Sequence, residues 1–316
     1  NRQYAVAVNS CTQGLVFAMM AAMSSNSRIL IPSISFAASI NSVLMAGHTP
    51  VMCDVDDNAL IDLSTLDYAL NANGVETLMY ANLFGHIVDY DKLKLHTDFF
   101  SGETYIIEDA AQSFGAKYKG RPSGSLGDVS VLSFDPTKNL PNYGSGGMVL
   151  TDDLALAEAI IDLRNNGKHS GHELMGTNSR MSESDCAQML VKFKYFEEWQ
   201  RRRTEIAEFY TEHLSTYVDP ILPNEGVDHA WHKYVIRLSS RHALNGYLAA
   251  KGIETRFHYD KPLFELPIGW EYVDYAKDPY RGATSFSREC LSLPIYPELT
   301  DSEVEYIIDS VIDFLS

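Results

Sequence analysis

The chain has 316 residues, of which 45% are hydrophobic and 21% are charged, and it carries a net charge of −17. This composition excludes a disordered, collagenous or coiled-coil chain, and at about 150 residues per domain the length predicts roughly two domains. The acidic excess argues against nucleic acid and anionic membranes as partners, and no apolar run reaches the ~20 residues of a membrane span.

The four cysteines lie far apart in the sequence and lack the spacing of a metal site: Cys11, Cys53, Cys186 and Cys290. Free thiols in a chain of this length indicate a reducing compartment. We therefore expect a cytoplasmic protein without a metal centre.

The first two-thirds of the chain alternates short apolar or β-branched runs with segments of helical period. Strands are predicted at residues 4–8, 28–31, 51–55, 77–80, 105–108, 129–133 and 148–151. Helices are predicted at 12–23, 37–46, 64–70 and 154–164, with Gly47 as the C-terminal cap of the second. Strands separated by helices indicate an α/β fold with a mainly parallel sheet, whose ligands bind at the strand ends.

The pattern changes near Gly167. A polar loop is predicted at 168–179 and one long helix at 184–210. A smaller α+β unit follows, with strands at 234–238 and 254–258, helices at 243–251 and 301–315, and a loop at 260–278. The predicted domains are a large ligand-binding domain (1–183), a connecting helical region (184–223) and a small C-terminal α+β domain (224–316).

Lys138 is the first candidate for chemistry. It follows the predicted strand 129–133 and a turn fixed by Pro136, and it precedes the glycine-rich segment 144–147. A lone lysine after a strand is usually a solvated residue, but a lysine with restricted solvent and a lowered pKa can form an imine.

Two further clusters follow strands. Asp109 stands at the end of the strand 105–108, where it either caps a helix or faces a bound cationic nitrogen. Ser10, Cys11 and Thr12 lie between the first strand and the first helix, where they either cap the helix or hold a phosphate at its N-terminus. A phosphate site, an acid and an imine-forming lysine are together what pyridoxal phosphate requires.

These residues belong to longer stretches that resemble a known family. The segments 108–120 (EDAAQSFGAKYKG) and 127–139 (GDVSVLSFDPTKN) are the most specific, and 178–183 and 291–297 support them. The chain resembles the DegT/DnrJ/EryC1/StrS sugar aminotransferases almost from end to end. The resemblance implies a pyridoxal-phosphate-dependent transferase of fold type I that acts as a homodimer with shared active sites.

The resemblance also implies roles for the ring-binding residues. Lys138 would form the imine and move protons, Asp109 would pair with the pyridine nitrogen, and Gln112 would lie beside the ring hydroxyl. Phe36 would stack on one face of the ring and Ala111 would pack against the other.

The phosphate would be held by the Ser133 hydroxyl and by the segment Ser10, Cys11 and Thr12 at the start of the first helix. Asn178 matches an asparagine that crosses the dimer interface to the phosphate of the neighbouring subunit.

Three positions depart from the common pattern. Cys11 replaces a usual glycine, while Asn82 and Phe264 replace frequent histidines on the substrate side. Asn82, His258 and Tyr259 are candidates for contacting the substrate.

The implied reaction moves an amino group from L-glutamate, through pyridoxamine phosphate, to a nucleotide-linked keto-sugar for polysaccharide or natural-product synthesis. The segment 139–147 is more similar to members that aminate C-3, which favours a 3-keto-6-deoxyhexose on dTDP and a 3-amino sugar product. C-4 amination, a UDP-sugar, a cyclitol ketone and a non-catalytic regulatory protein stay open. A sugar 3-dehydratase is disfavoured, because those relatives have histidine where this chain has Lys138.

Overall fold

Three β-sheets and ten α-helices form the protein in the computed structural model, which describes residues 2–72, 74–101, 104–273 and 280–316. The described strands are β1 (Tyr4–Val8), β2 (Arg28–Pro32), β3 (Thr49–Cys53), β4 (Thr77–Ala81), β5 (Tyr105–Asp109), β6 (Lys117–Tyr118), β7 (Arg121–Pro122), β8 (Val129–Ser133), β9 (Gly147–Thr151), β10 (Asp219–Pro220), β11 (Val227–Asp228), β12 (Tyr234–Arg237) and β13 (Cys290–Leu293). The described helices are α1 (Cys11–Ala22), α2 (Ala38–Met45), α3 (Leu63–Ala72), α4 (Tyr90–Ser101), α5 (Leu154–Leu163), α6 (Glu183–Lys192), α7 (Phe196–Leu214), α8 (Arg241–Ala250), α9 (Arg281–Glu289) and α10 (Asp301–Leu315).

The central sheet has seven strands in the order β1-β9-β8-β5-β4-β2-β3. Neighbours from β3 to β8 pair in parallel, whereas β9 runs antiparallel to both β1 and β8. The sheet is therefore mainly parallel, as predicted. Since β1 and β8 both pair antiparallel with β9, the carboxyl ends of β1, β2, β4, β5 and β8 meet at one edge, where the amino end of β9 also lies.

Burial explains why the central strands are readable in the sequence. Every residue of β4 and β8 is buried, and both strands consist of apolar residues with only small hydroxyl side chains between or beside them. Gly14 on α1 allows close packing on this sheet, because a Cβ there would lie 2.7 Å from Val131 Cγ1. Gly47 has φ +82° after α2, the left-handed conformation of a C-terminal cap.

The predicted single helix at 184–210 is wrong. A 3-10 turn at Phe193–Tyr195 separates α6 from α7, and Tyr195 has φ −101° and ψ −3°, outside ideal helical geometry. The aromatic rings of Phe193 and Phe196 both pack against Phe114, at centroid distances of 6.4 and 4.8 Å. Tertiary packing of aromatic rings thus accompanies the break in a segment whose local sequence favours helix.

The predicted strand at 254–258 is also wrong. Only an isolated bridge between Arg256 and Ser292 forms there, and the chain then turns so that His258 Nδ1 lies 2.8 Å from Ser292 Oγ. The predicted loop at 260–278 contains 3-10 helices at Leu263–Glu265 and Pro267–Tyr272, and its residues 274–278 lie outside the described residues. Helices α4 and α9 and strand β13 were not predicted.

The C-terminal sheet, β10-β12-β13, is covered by helices. Ile206, Tyr210 and Leu214 of α7 belong to the same apolar cluster as residues of β12, β13, α8 and α10. Helix α10 begins at a capping box in which Thr300 and Glu303 satisfy each other's backbone N–H groups. The division into the three domains given above stays a prediction.

Among the described residues, no helix combines the length and apolar character of a membrane span.

Candidate active site

A cavity of about 310 Å³ opens at the edge of the central sheet where the carboxyl ends meet. Its lining includes every predicted site residue except Asn178: Ser10, Cys11, Thr12, Phe36, Asn82, Asp109, Ala111, Gln112, Ser133, Lys138, His258 and Tyr259. The volume lies within the range of about 300–1,000 Å³ that is usual for small-molecule sites. Residues from distant parts of the chain therefore converge on one pocket.

Lys138 stands on a tight turn directly after β8. Asp135 fixes this turn, because its Oδ1 accepts hydrogen bonds from the Thr137 N–H (3.0 Å) and hydroxyl (2.7 Å) and its carbonyl accepts one from the Lys138 N–H (2.9 Å). Among the described residues, Lys138 Nζ has no hydrogen-bond or ion-pair partner. Burial lowers the pKa of Lys138, partly opposed by the charges of Cys11, Asp109 and Asp135. A larger fraction of the amine is therefore neutral and nucleophilic.

Asp109 is buried at the end of β5 and has few strong partners. Its Oδ1 accepts a hydrogen bond from Ala111 N at 3.1 Å, and its Oδ2 accepts a longer one from Ser39 Oγ at 3.4 Å. The Cys11 thiol lies 3.9 Å from Oδ1, a contact that the sequence does not indicate. Burial raises the pKa of Asp109, so a cation against this carboxylate would stabilise its charged form.

Glu108, the preceding residue, points to the opposite face of the strand and is fully bonded. Its carboxylate accepts hydrogen bonds from the side chains of Asn82 (3.0 Å), Ser123 (2.8 Å) and Ser130 (2.6 Å) and from the N–H groups of Gly124 and Leu126.

Asn82 is held by two hydrogen bonds, since its Nδ2 donates to Glu108 and its Oδ1 accepts from Val88 N at 3.2 Å. Its role toward the substrate stays a prediction.

The start of α1 offers a site for an anion. The Ser10 side chain caps the helix by accepting a hydrogen bond from Gln13 N (3.1 Å), while among the described residues the N–H groups of Cys11 and Thr12 find no acceptor. These free N–H groups and the positive end of the helix dipole favour phosphate. Gly147 makes the arrangement possible, because a Cβ there would lie 2.6–2.9 Å from the backbone of Ser10 and Cys11.

Ser133, at the end of β8, lies in the same wall. Its hydroxyl accepts a hydrogen bond from Asp135 N at 3.3 Å and can still donate its own proton to an anion.

Gln112 and Tyr259 form one side of the cavity. Gln112 Oε1 accepts a hydrogen bond from Phe84 N (3.0 Å), and its Nε2 donates to the Tyr259 hydroxyl (2.7 Å). The Phe36 ring lies 6.4 Å from that of Tyr259 and is 60% exposed, so one of its faces is free to cover a flat ligand. Ala111 adds a small side chain to the lining.

Two histidines and a second lysine complete the lining of the cavity: His232, His258 and Lys233. Burial lowers the pKa of His258 to about 3, and burial together with the charges of Lys138 and Arg203 lowers that of Lys233 to about 8. Sequence reasoning missed Lys233, because a lysine beside a strand has no motif of its own. His232 also lines the cavity, and its Nδ1 lies 3.1 Å from Asn139 Oδ1.

Asn178 is the one predicted site residue that the structure places outside this cavity. It is exposed in the loop between α5 and α6 and forms an isolated bridge with Asn165. The adjacent Ser179 carbonyl accepts a hydrogen bond from Asn9 N (2.8 Å), which holds the loop beside the end of β1.

The donor set fits pyridoxal phosphate. Among the described residues, the buried Asp109 carboxylate lacks a cationic partner at hydrogen-bond distance, the amine of Lys138 is unpaired, and two N–H groups of α1 are free to bind an anion. These are the three groups that the ring nitrogen, the aldehyde carbon and the phosphate of the cofactor require.

Comparisons with known proteins identify the family. The profile of the DegT/DnrJ/EryC1/StrS aminotransferase family matches residues 1–312. The chain is 34% identical over 318 residues to a dTDP-3-amino-3,4,6-trideoxy-alpha-D-glucose transaminase of Streptomyces venezuelae, covering 98% of this chain and 82% of the relative. It is 33% identical to a pleiotropic regulatory protein of Geobacillus stearothermophilus, covering 90% of this chain and 78% of the relative. Its structure superposes on that of S. venezuelae DesV with a TM-score of 0.94 at 32% identity, covering 100% of this chain and 86% of DesV.

Proposed function

Because the chain belongs to the DegT/DnrJ/EryC1/StrS aminotransferase family of pyridoxal-phosphate-dependent nucleotide-sugar aminotransferases, we propose that it uses L-glutamate to aminate C-3 of a dTDP-linked 3-keto-6-deoxyhexose. Two relatives support dTDP and C-3: the S. venezuelae enzyme above, and a dTDP-3-amino-3,6-dideoxy-alpha-D-galactopyranose transaminase of Aneurinibacillus thermoaerophilus that is 31% identical. The product would be a 3-amino sugar.

The observation that carries the catalytic proposal is the unpaired amine of Lys138 in the same cavity as the buried Asp109. When bound, pyridoxal phosphate supplies an electron sink for the bonds of the carbon that carries the amino group. The Asp109 carboxylate would hold a proton on the ring nitrogen and so preserve that sink. The free N–H groups of Cys11 and Thr12 and the Ser133 hydroxyl would fix the phosphate.

Lys138 Nζ would be the proton carrier. Its lowered pKa allows it to accept a proton from the α-carbon of L-glutamate near neutral pH and to return a proton in the same half of the cycle. In the other half it would move the corresponding proton at the sugar carbon that receives the amino group. The turn around Asp135 fixes the backbone of Lys138, so the amine needs only side-chain rotation to reach both positions.

We include a homodimer in the proposal. Asn178 is exposed outside the cavity of its own chain, which suits a residue that contacts the phosphate in a second subunit. Large apolar side chains at Met175, Leu190 and Phe193 are 84%, 70% and 57% exposed near the same loop in sequence and would be covered by such a partner.

A spectroscopic experiment tests the catalytic proposal. The purified protein reconstituted with pyridoxal phosphate should absorb in the visible, and L-glutamate should convert the band to that of the pyridoxamine form. Lys138→Ala should abolish the conversion, whereas the exposed Lys117→Ala should behave as wild type. Conversion by Lys138→Ala at the wild-type rate would refute the proposed role of this lysine.

A substrate panel tests the finer part of the proposal. The pyridoxamine form should react with a dTDP-linked 3-keto-6-deoxyhexose faster than with 4-keto, UDP-linked or GDP-linked analogues. The last two are real competitors, because relatives at 30% identity include a GDP-perosamine synthase and a UDP-N-acetyl-3-dehydro-alpha-D-glucosamine 3-aminotransferase. Preference for one of these analogues would replace the proposed substrate.

A regulatory function is the second candidate, because two relatives carry such names: the pleiotropic regulatory protein above and the erythromycin biosynthesis sensory transduction protein EryC1, 32% identical. A cofactor band that no amino donor changes would favour it.

A further inference from the structure

A second cavity, of about 820 Å³, adjoins the cavity of about 310 Å³ that contains Lys138 and Asp109, which is called the cofactor cavity below. The two share four lining residues: Thr137, His232, Lys233 and His258. Any ligand that reaches Lys138 with one end and extends past these residues enters the second cavity. Apolar side chains such as Ile253 and Ile307 and the rings of Tyr296 and Tyr306 form much of its wall.

The boundary between the cavities carries positive charge without a counter-ion. Lys233 Nζ forms no hydrogen bond or ion pair with any residue that the structure describes, and the charges that act on it, those of Lys138 and Arg203, are also positive. His232 and His258 at the same boundary are kept neutral, because burial lowers the pKa of each. In a chain of net charge −17, such a group of cations is a local reversal of sign.

The acidic side chains of the second cavity do not neutralise Lys233. Glu254 is paired with Arg256, and Glu303 accepts hydrogen bonds from the N–H (2.9 Å) and hydroxyl (2.8 Å) of Thr300 at the start of α10. Toward the cofactor cavity, Asp109 and Asp135 act on Lys138. A half-buried ammonium without a counter-ion is costly, so an anionic ligand at this position would be stabilised.

We propose that Lys233 binds the diphosphate of the nucleotide-sugar at the boundary of the two cavities, with the sugar directed to Lys138 and the nucleoside in the second cavity. This inference rests on the proposed function. A diphosphate fits better than the carboxylates of L-glutamate, because a five-carbon donor would leave the larger cavity empty whereas a nucleoside would occupy it. The rings of Tyr296 and Tyr306 offer faces on which a base can stack.

The direct test is calorimetric binding of dTDP, with UDP and GDP as further probes, to the cofactor-loaded protein. Lys233→Met should weaken dTDP binding by at least about tenfold, since a charged hydrogen bond is lost. Lys233→Arg, which retains a cation, should retain most of the affinity, and Lys117→Met should match wild type. Three results would overturn the proposal. Lys233→Met could bind dTDP as tightly as wild type, the Met and Arg variants could lose affinity equally, or wild type could fail to bind dTDP.

The two half-reactions separate the two substrates. In Lys233→Met, the rate at which the pyridoxamine form reacts with the keto-sugar should fall by a larger factor than the rate at which the pyridoxal form reacts with L-glutamate. The reverse order would assign Lys233 to the amino donor and overturn the proposal. Failure of the proposed function is distinguishable, because a wild type that binds dTDP through Lys233 but aminates no keto-sugar would retain the diphosphate site without the reaction.

Discussion

At the residue scale, burial shifts the pKa values of Asp109 and Lys138, the two buried groups that follow β5 and β8, in opposite directions. Burial raises the pKa of Asp109 and lowers that of Lys138, so each group is moved toward its neutral form. A cationic ring nitrogen beside Asp109 would lower the pKa of this carboxyl group again and keep it charged. The pKa of Lys138 would stay low, so that its amine stays neutral and reactive. Opposite tuning of two groups in one cavity is a general mark of an acid–base site.

Asp109→Asn is the sharpest residue-level prediction after Lys138. The substitution preserves size and removes the charge that would hold the ring proton, so we expect the rate of cofactor conversion by L-glutamate to fall by at least about 10²-fold. Stopped-flow absorbance measures this rate, and the exposed Asp228→Asn serves as the control. A loss of less than about threefold would exclude Asp109 from this role, since catalytic charge contacts cost more than that.

His86 predicts a pH dependence of stability. It is buried, and burial lowers its pKa to about 4 from the unfolded value of about 6.5. Between these values the unfolded chain binds the additional proton, so stability falls as the pH decreases from 6.5 to 4, by up to about 1.4 kcal/mol per pH unit. Glu108 and Asp109 have raised pKa values and oppose this slope in part of the same window.

A variant isolates the histidine. His86→Gln should reduce the slope of the unfolding free energy between pH 4 and 6.5, as measured by urea denaturation at several pH values, while His229, His232 and His258, whose pKa values burial also lowers, maintain the rest of it. An unchanged slope would show that His86 is protonated equally in the folded and unfolded chains.

Much of the site was predictable from the sequence at this scale, and the reason is topological. Asp109 and Lys138 follow buried strands, and parallel strands place their carboxyl ends at one edge. Lys233 was not predictable, because the proposal for it depends on the lack of a carboxylate partner among the described residues, which only the folded chain reveals. The contact of the Cys11 thiol with Asp109 was not predictable either, because it joins residues that lie far apart in the sequence and meet only in the folded chain.

At the element scale, the contact of β9 with the start of α1 controls the anion site. Gly147→Ala would place a methyl group within 2.9 Å of backbone atoms of Ser10 and Cys11, and backbone cannot yield as a side chain can. We expect pyridoxal phosphate to bind at least about tenfold more weakly and the Tm to fall by several degrees, consistent with about 1–3 kcal/mol of overpacking. Equilibrium dialysis and thermal melting measure the two effects.

Gly246→Ala is the matched control. Gly246 lies in α8 with open space around its Cβ position, so the same substitution should stabilise the protein by about 0.5–1 kcal/mol and leave cofactor binding intact. Equal behaviour of the two variants would contradict the steric argument.

The bounds of an element were predicted correctly where a local sequence signal marks them. They were predicted wrongly where contacts with distant residues accompany a break in the element. The strands β1 and β8 and the helix α10 have the predicted bounds, since apolar runs or a capping signal mark them. The break between α6 and α7 is accompanied by ring contacts with Phe114, a residue about eighty positions away in the sequence, and no local pattern indicates these contacts.

At the scale of the whole molecule, the proposed homodimer predicts complementation between two defective subunits. Lys138→Ala lacks the amine, and Asn178→Ala would lack the contact donated to the other subunit. A mixed dimer contains one site with an intact Lys138 and an Asn178 from the other chain. Co-expressed, differently tagged subunits should therefore recover cofactor affinity and up to half of the wild-type activity per dimer.

The purified single variants are the controls for this experiment. Mixed dimers that are no better than Asn178→Ala alone would show that Asn178 acts within its own subunit or does not contact the phosphate. A monomer at micromolar concentration by light scattering would overturn the shared site as a whole.

The neighbouring carboxylates of β5 have one more consequence. Glu108 uses all its acceptor capacity inside the fold, while Asp109, one residue on, faces the cavity. Because side chains alternate along a strand, sliding β5 by one residue would exchange the two acids. The exchange would break the hydrogen bonds of Glu108, so the shifted register would be less stable than the native one. The buried hydrogen bonds of Glu108 thus stabilise the register of β5 that places Asp109 in the cavity.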